Sequence, residues 1–426
     1  MENGAADSTR SRGPLRPSAE AIDKLAKKVE ERVITWRRDI HQHPELSNRE
    51  HRTASIVAEH LKALDIETQT GIAHTGVVGV LRGSQPGPVV ALRADMDALP
   101  VTEEVDLAFA SKVRTMYNGQ EVDVMHACGH DAHTAVLMGT AEVLAGLRDQ
   151  LAGTVKFVFQ PAEESPPKGE DGGAPMMIAE GVLENPEPDA IFGFHVAAIP
   201  TGIIAYRPMA AMASQDDMRI TVRGRQTHGA LPWLGIDPIV VASQIVLALQ
   251  TITSRQVDVT TPAVVSIGTF HAGVRDTIIP DEAVLTGTIR AMESLMREDI
   301  HRRVRRTVEH IARSAGATAT VVIEPELPLT FNDPDLTARM VPTLERIVGS
   351  SMLIESPPIM GSEDFAYYQQ RIPGLIFFIG VNHDGVSMTD AAPTHSPRFQ
   401  VNEDALIIGV RAMANLAVDY LMPTGE

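Results

Sequence analysis

Residues 155–164 read VKFVFQPAEE, a short and mainly apolar run that ends in two adjacent glutamates. Its first five residues have the length and composition of a buried β-strand. Residues 89–92 and 191–194 form similar runs, and residues 135–147 carry apolar side chains at helical spacing. Strands that alternate with helices in this way predict an α/β domain with a mostly parallel mixed sheet flanked by helices.

Polar side chains follow these three strands directly. Asp95 and Asp97 come after the earliest strand, Glu163 and Glu164 after the second, and His195 after the third. In open α/β sheets, ligands bind beyond the carboxyl ends of the parallel strands. The placement of these residues, more than their type, therefore predicts a functional site at that edge of the sheet.

The stretch HACGHDAH, residues 126–133, contains the only cysteine of the 426-residue chain. Cys128 cannot form an internal disulfide, so packing, nucleophilic attack and metal ligation remain open for it. The neighbouring histidines and Asp131 favour a metal, because thiolate and imidazole suit zinc and carboxylates suit harder ions such as manganese. A lone C-G-H would more often be a buried cysteine at a helix start, so the metal hypothesis depends on ligands elsewhere.

Further candidate ligands come from strand ends and from the motif THSP at residues 394–397. The whole candidate set is Cys128, His130, Glu164, His195 and His395. Five ligands exceed one tetrahedral site and fit two metal ions that share a bridging water. Of the two adjacent glutamates, one can ligate while the other accepts the proton of an attacking water. Two exposed glutamates in a loop are the alternative interpretation.

The N-terminal region is polar up to residue 17 and is predicted to be disordered. Apolar residues from Ile22 to Ile40 then recur at three- and four-residue steps, which predicts a helix. Ser47 and Glu50 have the spacing of a capping box and predict the start of a second helix.

A different pattern occupies residues 213–325. Met218, Ile220 and Val222 alternate with polar residues, which predicts a strand with one solvated face. The following elements give the order β-α-β-β-α-β of an α+β ferredoxin-like module. Because the α/β pattern resumes afterwards, we expect an inserted lid domain within a discontinuous catalytic domain of residues 18–212 and 326–426.

The composition limits the possible partners. The net charge of −18 argues against nucleic acid, because phosphate binding needs a basic face. No apolar run reaches the roughly 18 residues that a membrane-spanning helix needs, and the N-terminus lacks the apolar core of a signal peptide. These features predict a cytoplasmic protein without nucleic-acid or membrane partners, and a single cysteine fits a reducing compartment.

Six motifs in order resemble one known family. They are RADMDALP (93–100), HACGHDAH (126–133), QPAEE (160–164), GFHV (193–196), GSEDF (361–365) and THSP (394–397). Together they resemble the dinuclear metal amidohydrolases of the aminoacylase/carboxypeptidase family, and within it the hippurate hydrolases and indole-acetyl-amino-acid hydrolases. The likeness extends from about residue 36 to residue 421 and implies a catalytic α/β domain with an inserted lid.

The resemblance also implies roles for individual residues. It makes Cys128, His130, Glu164, His195 and His395 the ligands of two divalent metal ions, Mn²⁺ or Zn²⁺, with Co²⁺ or Ni²⁺ possible. It makes Glu163 the general base. His228 of the lid would stabilise the oxyanion, with a surface loop histidine as the alternative. Asp97 would orient a ligating histidine, while Asp95 stands where related branches have a histidine ligand and receives no role. Arg290 has the bidentate fork to pair with a substrate carboxylate, or it simply lies on a strand face.

The expected reaction is hydrolysis of the amide bond of an N-acyl amino acid by metal-activated water, giving a carboxylic acid and a free amino acid. A dipeptidase or carboxypeptidase acting on small unblocked peptides is the alternative. A catalytically inactive metal-binding scaffold and a structural zinc domain are disfavoured by the presence of Glu163 beside a full ligand set. The resemblance further implies a homo-oligomer, a dimer or tetramer, formed through the lid.

Overall fold

The computed structural model describes residues 16–387 and 389–423. These residues form two compact units that are discontinuous in sequence. The first unit extends to Tyr206 and continues at Asp333–Glu355 and from Tyr368 onward, and the second comprises Arg207–Asn332 and Ser356–Tyr367. The disorder predicted for residues 1–17 falls, except at Arg16 and Pro17, outside the described residues.

The described residues of the two units contain the following helices, which in much of the first unit alternate with strands. They are α1 (Ala19–Gln42), α2 (His51–Ala63), α3 (His130–Ala145), α4 (Gly173–Ala179), α5 (Pro238–Arg255), α6 (Ser294–Ser314), α7 (Pro334–Val348), α8 (Ala366–Gln369) and α9 (Asp404–Leu421).

The strands are β1 (Glu67–Ile72), β2 (Gly76–Arg82), β3 (Gln85–Asp95), β4 (Arg114–Tyr117), β5 (Gln120–Asp123), β6 (Ala152–Gln160), β7 (Ala190–Pro200), β8 (Ile204–Tyr206), β9 (Met209–Met212), β10 (Ser214–Arg223), β11 (Thr227–His228), β12 (Ala263–Ala272), β13 (Ile278–Ile279), β14 (Glu282–Ala291), β15 (Thr318–Leu327), β16 (Thr330–Asn332), β17 (Leu353–Glu355) and β18 (Gly374–Asn382).

The first unit is built on a mixed sheet with the strand order β1-β2-β6-β3-β7-β18-β8-β17. Its centre, β6-β3-β7-β18, is parallel. The pairs β1-β2, β2-β6 and β18-β8 are antiparallel, and β17 is parallel to β8. Every residue of β18 is buried, which explains why its sequence is apolar from Gly374 to Val381 rather than alternating. The predicted fold class is confirmed.

Helices α1, α3 and α9 pack against one another, and α3 and α9 also lie against the central strand β3. Nearly every residue of α3 is buried, and after its polar first turn the helix is mainly apolar on all sides. A buried ion pair joins α1 to α3: Arg37 Nε lies 2.8 Å from Asp131 Oδ2, and both side chains are buried. His41 Nδ1 lies 2.8 Å from the same oxygen.

The second unit contains an antiparallel sheet with the order β12-β14-β10-β15 and the chain order β-α-β-β-α-β. This is the predicted ferredoxin-like module. The unit is larger than the predicted residues 213–325, because β9 pairs with β16 and because residues 356–367 belong to it as well. Ala213 N donates to Ile359 O and Gly361 O at 3.0 and 2.9 Å, which attaches that second segment.

Among the described residues, the helices are all too short or too polar to cross a lipid bilayer.

The Arg37–Asp131 pair predicts a large difference between two neighbouring arginines. Arg37→Met should lower the free energy of unfolding by about 3–5 kcal/mol, because it removes one partner of a buried ion pair. Arg38→Met removes a half-exposed pair with Glu403 and should cost about 0–1 kcal/mol. Urea denaturation followed by circular dichroism measures both, and equal effects would contradict the importance of the buried pair.

Candidate metal centre

The loop before α3 brings Cys128 and His130 to the carboxyl edge of the parallel strands. Gly129 adopts φ +89°, and a Cβ at this position would lie 2.3 Å from Cγ2 of Val196. Glycine is therefore required both by the left-handed backbone and by the close approach of β7. His130 is the first residue of α3 and is fully buried.

The donor atoms of all five predicted ligands converge in the first unit. Cys128, His130 and His195 offer ligand atoms within 4.8 Å of one another, and so do Cys128, Glu164 and His395. Cys128 Sγ lies 3.3 Å from His195 Nε2, and His395 Nε2 lies 2.9 Å from Glu164 Oε1. Residues that are far apart in sequence thus meet at one point of the sheet.

Two of the histidines are held so that Nε2 faces the cluster. His130 Nδ1 lies 3.1 Å from Asp97 Oδ1, and His195 Nδ1 donates to its neighbour's carbonyl, Val196 O, at 2.6 Å. A proton kept on Nδ1 by such a contact leaves Nε2 as the ligating atom. Asp97 makes the contact that the predicted orienting role requires.

Asp95, which received no role from the sequence, is fully buried and contacts His133 and Arg93. Its Oδ1 lies 2.6 Å from His133 Nδ1, and its Oδ2 accepts from Arg93 Nη1 at 2.6 Å. His133 Nε2 in turn accepts from Val196 N at 2.9 Å. This chain of contacts holds the backbone of β7 next to His195, so Asp95 supports the cluster indirectly, through His133.

The electrostatics of the cluster indicate an excess of negative charge. Burial, together with Glu164 and Glu163, raises the pKa of the Cys128 thiol well above its ordinary value. Burial alone would lower the pKa of His130, but Asp95 and Asp97 outweigh it and raise that pKa to about 10. Protons are therefore held tightly here, as expected where several carboxylates share a poorly solvated space.

This site fits divalent cations. Nε2 of His130 is buried without a hydrogen-bond partner in the described part of the chain. Around it stand carboxylate oxygens of Asp95, Glu163 and Glu164, at 3.8, 3.9 and 4.0 Å. Those separations are no more than twice the usual ligand distance of about 2.0–2.2 Å, so one ion could contact the nitrogen and one of these oxygens together. A cation bound here would be a binding partner for this imidazole nitrogen and would offset the negative charge of the carboxylates around it.

The structure differs from the sequence prediction at His195. This residue was predicted to follow its strand, whereas β7 continues to Pro200 and His195 pairs with Phe378 of β18. The neighbouring strand β3 ends earlier, and its pairing with β7 stops at Gly193. His195 can reach the cluster because β3 no longer pairs with β7 at this point, although β7 itself continues.

The other two predicted functional residues belong to the second unit. His228 is exposed on β11, and its Nδ1 accepts from Ala230 N at 3.0 Å. Arg290 on β14 is half-buried and donates through Nη1 to Met360 O and Ser362 Oγ, both at 3.1 Å. These contacts tie Arg290 to residues of its own unit.

Sequence reasoning missed several polar residues that support the cluster: Arg37, His41, Ser47, Glu50, Arg93 and His133. Arg37 and His41 are three or four residues from apolar residues of α1, and this spacing could have predicted that both lie on the buried face of that helix. For the others, only the folded contacts reveal the role.

Comparison with known proteins identifies the family. The sequence profile of the peptidase family M20/M25/M40 matches residues 91–419. The chain is 42% identical over 405 residues to thermostable carboxypeptidase 2 of Saccharolobus solfataricus, which covers 94% of this chain and 98% of that protein. It is 36% identical to the IAA-amino acid hydrolase ILR1-like 2 of Arabidopsis thaliana, with 91% and 85% of the two chains covered.

A solved structure agrees. The crystal structure of a dinuclear metal binding peptidase from the M20 family of Bacillus subtilis matches with a TM-score of 0.78 and 36% identity, covering 93% of this chain and 100% of that one. The chain therefore belongs to the peptidase family M20/M25/M40. The family expected from the motifs and the prediction of a hydrolase acting on amide bonds are both confirmed.

The raised pKa values predict that metal binding displaces protons. In the metal-free protein at neutral pH, the Cys128 thiol and the His130 imidazolium stay protonated, and a cation must replace those protons. We expect loading to release roughly two protons per chain and to be tighter near about pH 8 than near about pH 6. Calorimetric titration of Mn²⁺ or Zn²⁺ in buffers of different ionisation enthalpy measures the release. Cys128→Ala should release about one proton fewer, and uptake without proton release would contradict the charge analysis.

Proposed function

We propose that this chain hydrolyses the amide bond of N-acyl amino acids and releases a carboxylic acid and a free amino acid. The observation that supports this most is the convergence of Cys128, His130, Glu164, His195 and His395 beside the carboxylate of Glu163. Metal-dependent hydrolysis of amide bonds is the activity of the family; the substrate class is the proposal.

The five converging residues would hold two divalent cations, Mn²⁺ or Zn²⁺, with Co²⁺ or Ni²⁺ also compatible with the mixed donor set. When bound, such ions supply Lewis acidity, which lowers the pKa of water and polarises a carbonyl oxygen. Asp97 holds His130 in orientation, and Asp95 with His133 holds the strand that carries His195. The protein thus fixes the donor atoms before the ions arrive.

Glu163 is the proposed general base. Its Oε2 lies 3.9 Å from His130 Nε2, and its side chain is only 9% exposed. As a carboxylate it accepts the proton of the attacking water and then delivers it to the amide nitrogen as the carbon–nitrogen bond breaks. The base returns to its ionised form, and the amino acid leaves as the amine.

His228 is proposed to stabilise the oxyanion. Because its Nδ1 accepts a hydrogen bond from Ala230 N, the neutral ring carries its proton on Nε2. That N–H can donate to the oxygen of a tetrahedral intermediate. Arg290 as the partner of a substrate carboxylate stays a prediction.

The names of two relatives support the choice of substrate. One is called a carboxypeptidase and the other an IAA-amino acid hydrolase. In both named activities the amide nitrogen belongs to the amino acid that is released, so the two differ only in the acyl side. An unblocked dipeptide contains the shared part as well, so the choice depends on the acyl side. The name of the IAA-amino acid hydrolase gives an acyl group there in place of a second amino acid, and for this reason we prefer an N-acyl amino acid.

Replacing the proposed base should separate catalysis from metal binding. Glu163→Gln should keep the metal content and lower kcat about 10²- to 10⁴-fold, because the amide cannot accept a proton. Glu187→Gln, a substitution of an exposed glutamate in the same unit, should leave both unchanged. Turnover with N-benzoylglycine and metal analysis measure the two effects, and a near-normal rate in Glu163→Gln would refute the role of Glu163 as base.

Substrate preference tests the proposed class against its alternative. N-benzoylglycine and N-acetyl amino acids should be hydrolysed with a kcat/KM at least about tenfold above that of unblocked dipeptides, because a free α-amine brings an unneeded charge to the acyl side. Parallel assays with metal-loaded protein compare them. A preference for small unblocked peptides would instead support the dipeptidase or carboxypeptidase.

A further inference from the structure

Glu50 lies in the segment between α1 and α2 and does not have the role that its spacing predicts. Ser47 and Glu50 were predicted to form a capping box, but the Glu50 side chain does not cap α2. The first amides of that helix are capped by Glu45 instead, whose Oε1 and Oε2 accept from Arg52 N and Thr53 N, both at 2.8 Å. The carboxyl group of Glu50 is therefore used elsewhere.

Glu50 is fully buried and reaches the loop that carries the proposed base. Its Oε1 accepts from Ala162 N at 2.9 Å and from Asn48 N at 3.1 Å. Its Oε2 lies 2.5 Å from the hydroxyl of Thr75. One side chain thus joins the segment before α2, the residue directly before β2 and the residue directly before Glu163.

Ala162 needs such a contact. It adopts φ +54°, in the left-handed region that residues other than glycine rarely occupy. It is also 2% exposed, so without Glu50 its amide would be a buried donor without an acceptor. Strained backbone of this kind persists where surrounding groups hold it. The backbone conformation of Ala162 therefore sets the direction in which the side chain of the next residue, Glu163, points.

The acceptor need not be charged. Burial, with the nearby carboxylate of Asp97, raises the pKa of Glu50 to about 8, so the side chain is mostly neutral at pH 7. The amide of glutamine offers an oxygen at the same distance along the chain and can donate to the Thr75 hydroxyl. Leucine has a similar size and offers no acceptor, and aspartate offers an acceptor that is one methylene too short.

We propose that Glu50 is a positioning residue for amide hydrolysis: its carboxyl oxygen holds the Ala162 amide and thereby fixes the carboxylate of Glu163 at the metal centre. The inference rests on the proposed function in so far as Glu163 is the base. The hydrogen bond of the Ala162 amide can be tested without any turnover, by the rate at which that amide exchanges its hydrogen.

The test compares Glu50→Gln, Glu50→Asp and Glu50→Leu in the full-length, metal-loaded protein. Glu50→Leu should lower kcat about 10- to 100-fold with KM changed less than about threefold, because a shift of about 1 Å in a catalytic group costs up to that much. Glu50→Gln should stay within about threefold of wild type in kcat. Glu50→Asp should fall between them, although it keeps the carboxyl group.

Glu45→Leu is the matched control. It also removes a carboxylate that accepts two backbone amides in the same segment, but those amides belong to α2. It should reduce thermal stability and leave kcat unchanged below its unfolding temperature. Should Glu50→Leu fail to fold, the comparison of Glu50→Asp with Glu50→Gln still separates the length of the side chain from the presence of a carboxyl group.

Hydrogen exchange of the Ala162 amide gives a readout that is independent of turnover. It should become at least about tenfold faster in Glu50→Leu and Glu50→Asp, but not in Glu50→Gln or Glu45→Leu. Unchanged exchange in Glu50→Leu, or equal losses of kcat in Glu50→Gln and Glu50→Leu, would overturn the role of Glu50. If wild type hydrolysed no N-acyl amino acid while the exchange behaved as expected, the proposed substrate class would fail and the contact would stand.

Discussion

The carboxylate of Asp97 is the contact on which the arrangement of the metal centre depends. It accepts from Ser47 Oγ at 2.7 Å and from Glu164 N at 3.0 Å, and it lies 3.1 Å from His130 Nδ1. The loop after β6, the start of α3 and the segment before α2 therefore meet at one fully buried group. Burial would raise the pKa of Asp97, but the contact with His130 and the other two hydrogen bonds lower it. The ionised form is thus kept as a shared acceptor.

The sequence allowed the fold to be predicted where burial produces unbroken apolar runs. Strands β3, β6 and β7 are predicted for this reason, and the functional residues at their ends follow from the general placement of ligands in parallel sheets. The end of β7 could not be predicted, because a strand ends where its neighbours stop pairing, and at His195 only β18 still pairs with it. The extension of the second unit by residues 356–367 was missed because this segment has no periodic pattern.

The buried polar residues behind the centre were the least predictable part. Glu50 has the spacing of a helix cap, and no local signal distinguishes that use from a contact with Ala162, which lies far away in sequence. From the sequence, Arg37 could only be placed on one face of an amphipathic helix. Its pairing with Asp131 requires that α1 and α3 be packed together, so the interaction exists only as a property of the tertiary structure.

The distribution of fixed charge explains how such a centre can be both stable and reactive. Arg37 pairs with Asp131 and Arg93 with Asp95, so the permanent cations stabilise the aspartates that support the site rather than the groups proposed to react. Around His130 the negative charge is balanced by protons, as the raised pKa values of His130 and Cys128 indicate. Protons leave when divalent cations bind, whereas arginines cannot. A site neutralised by protons can therefore exchange them for metal ions without rearranging the side chains that hold it.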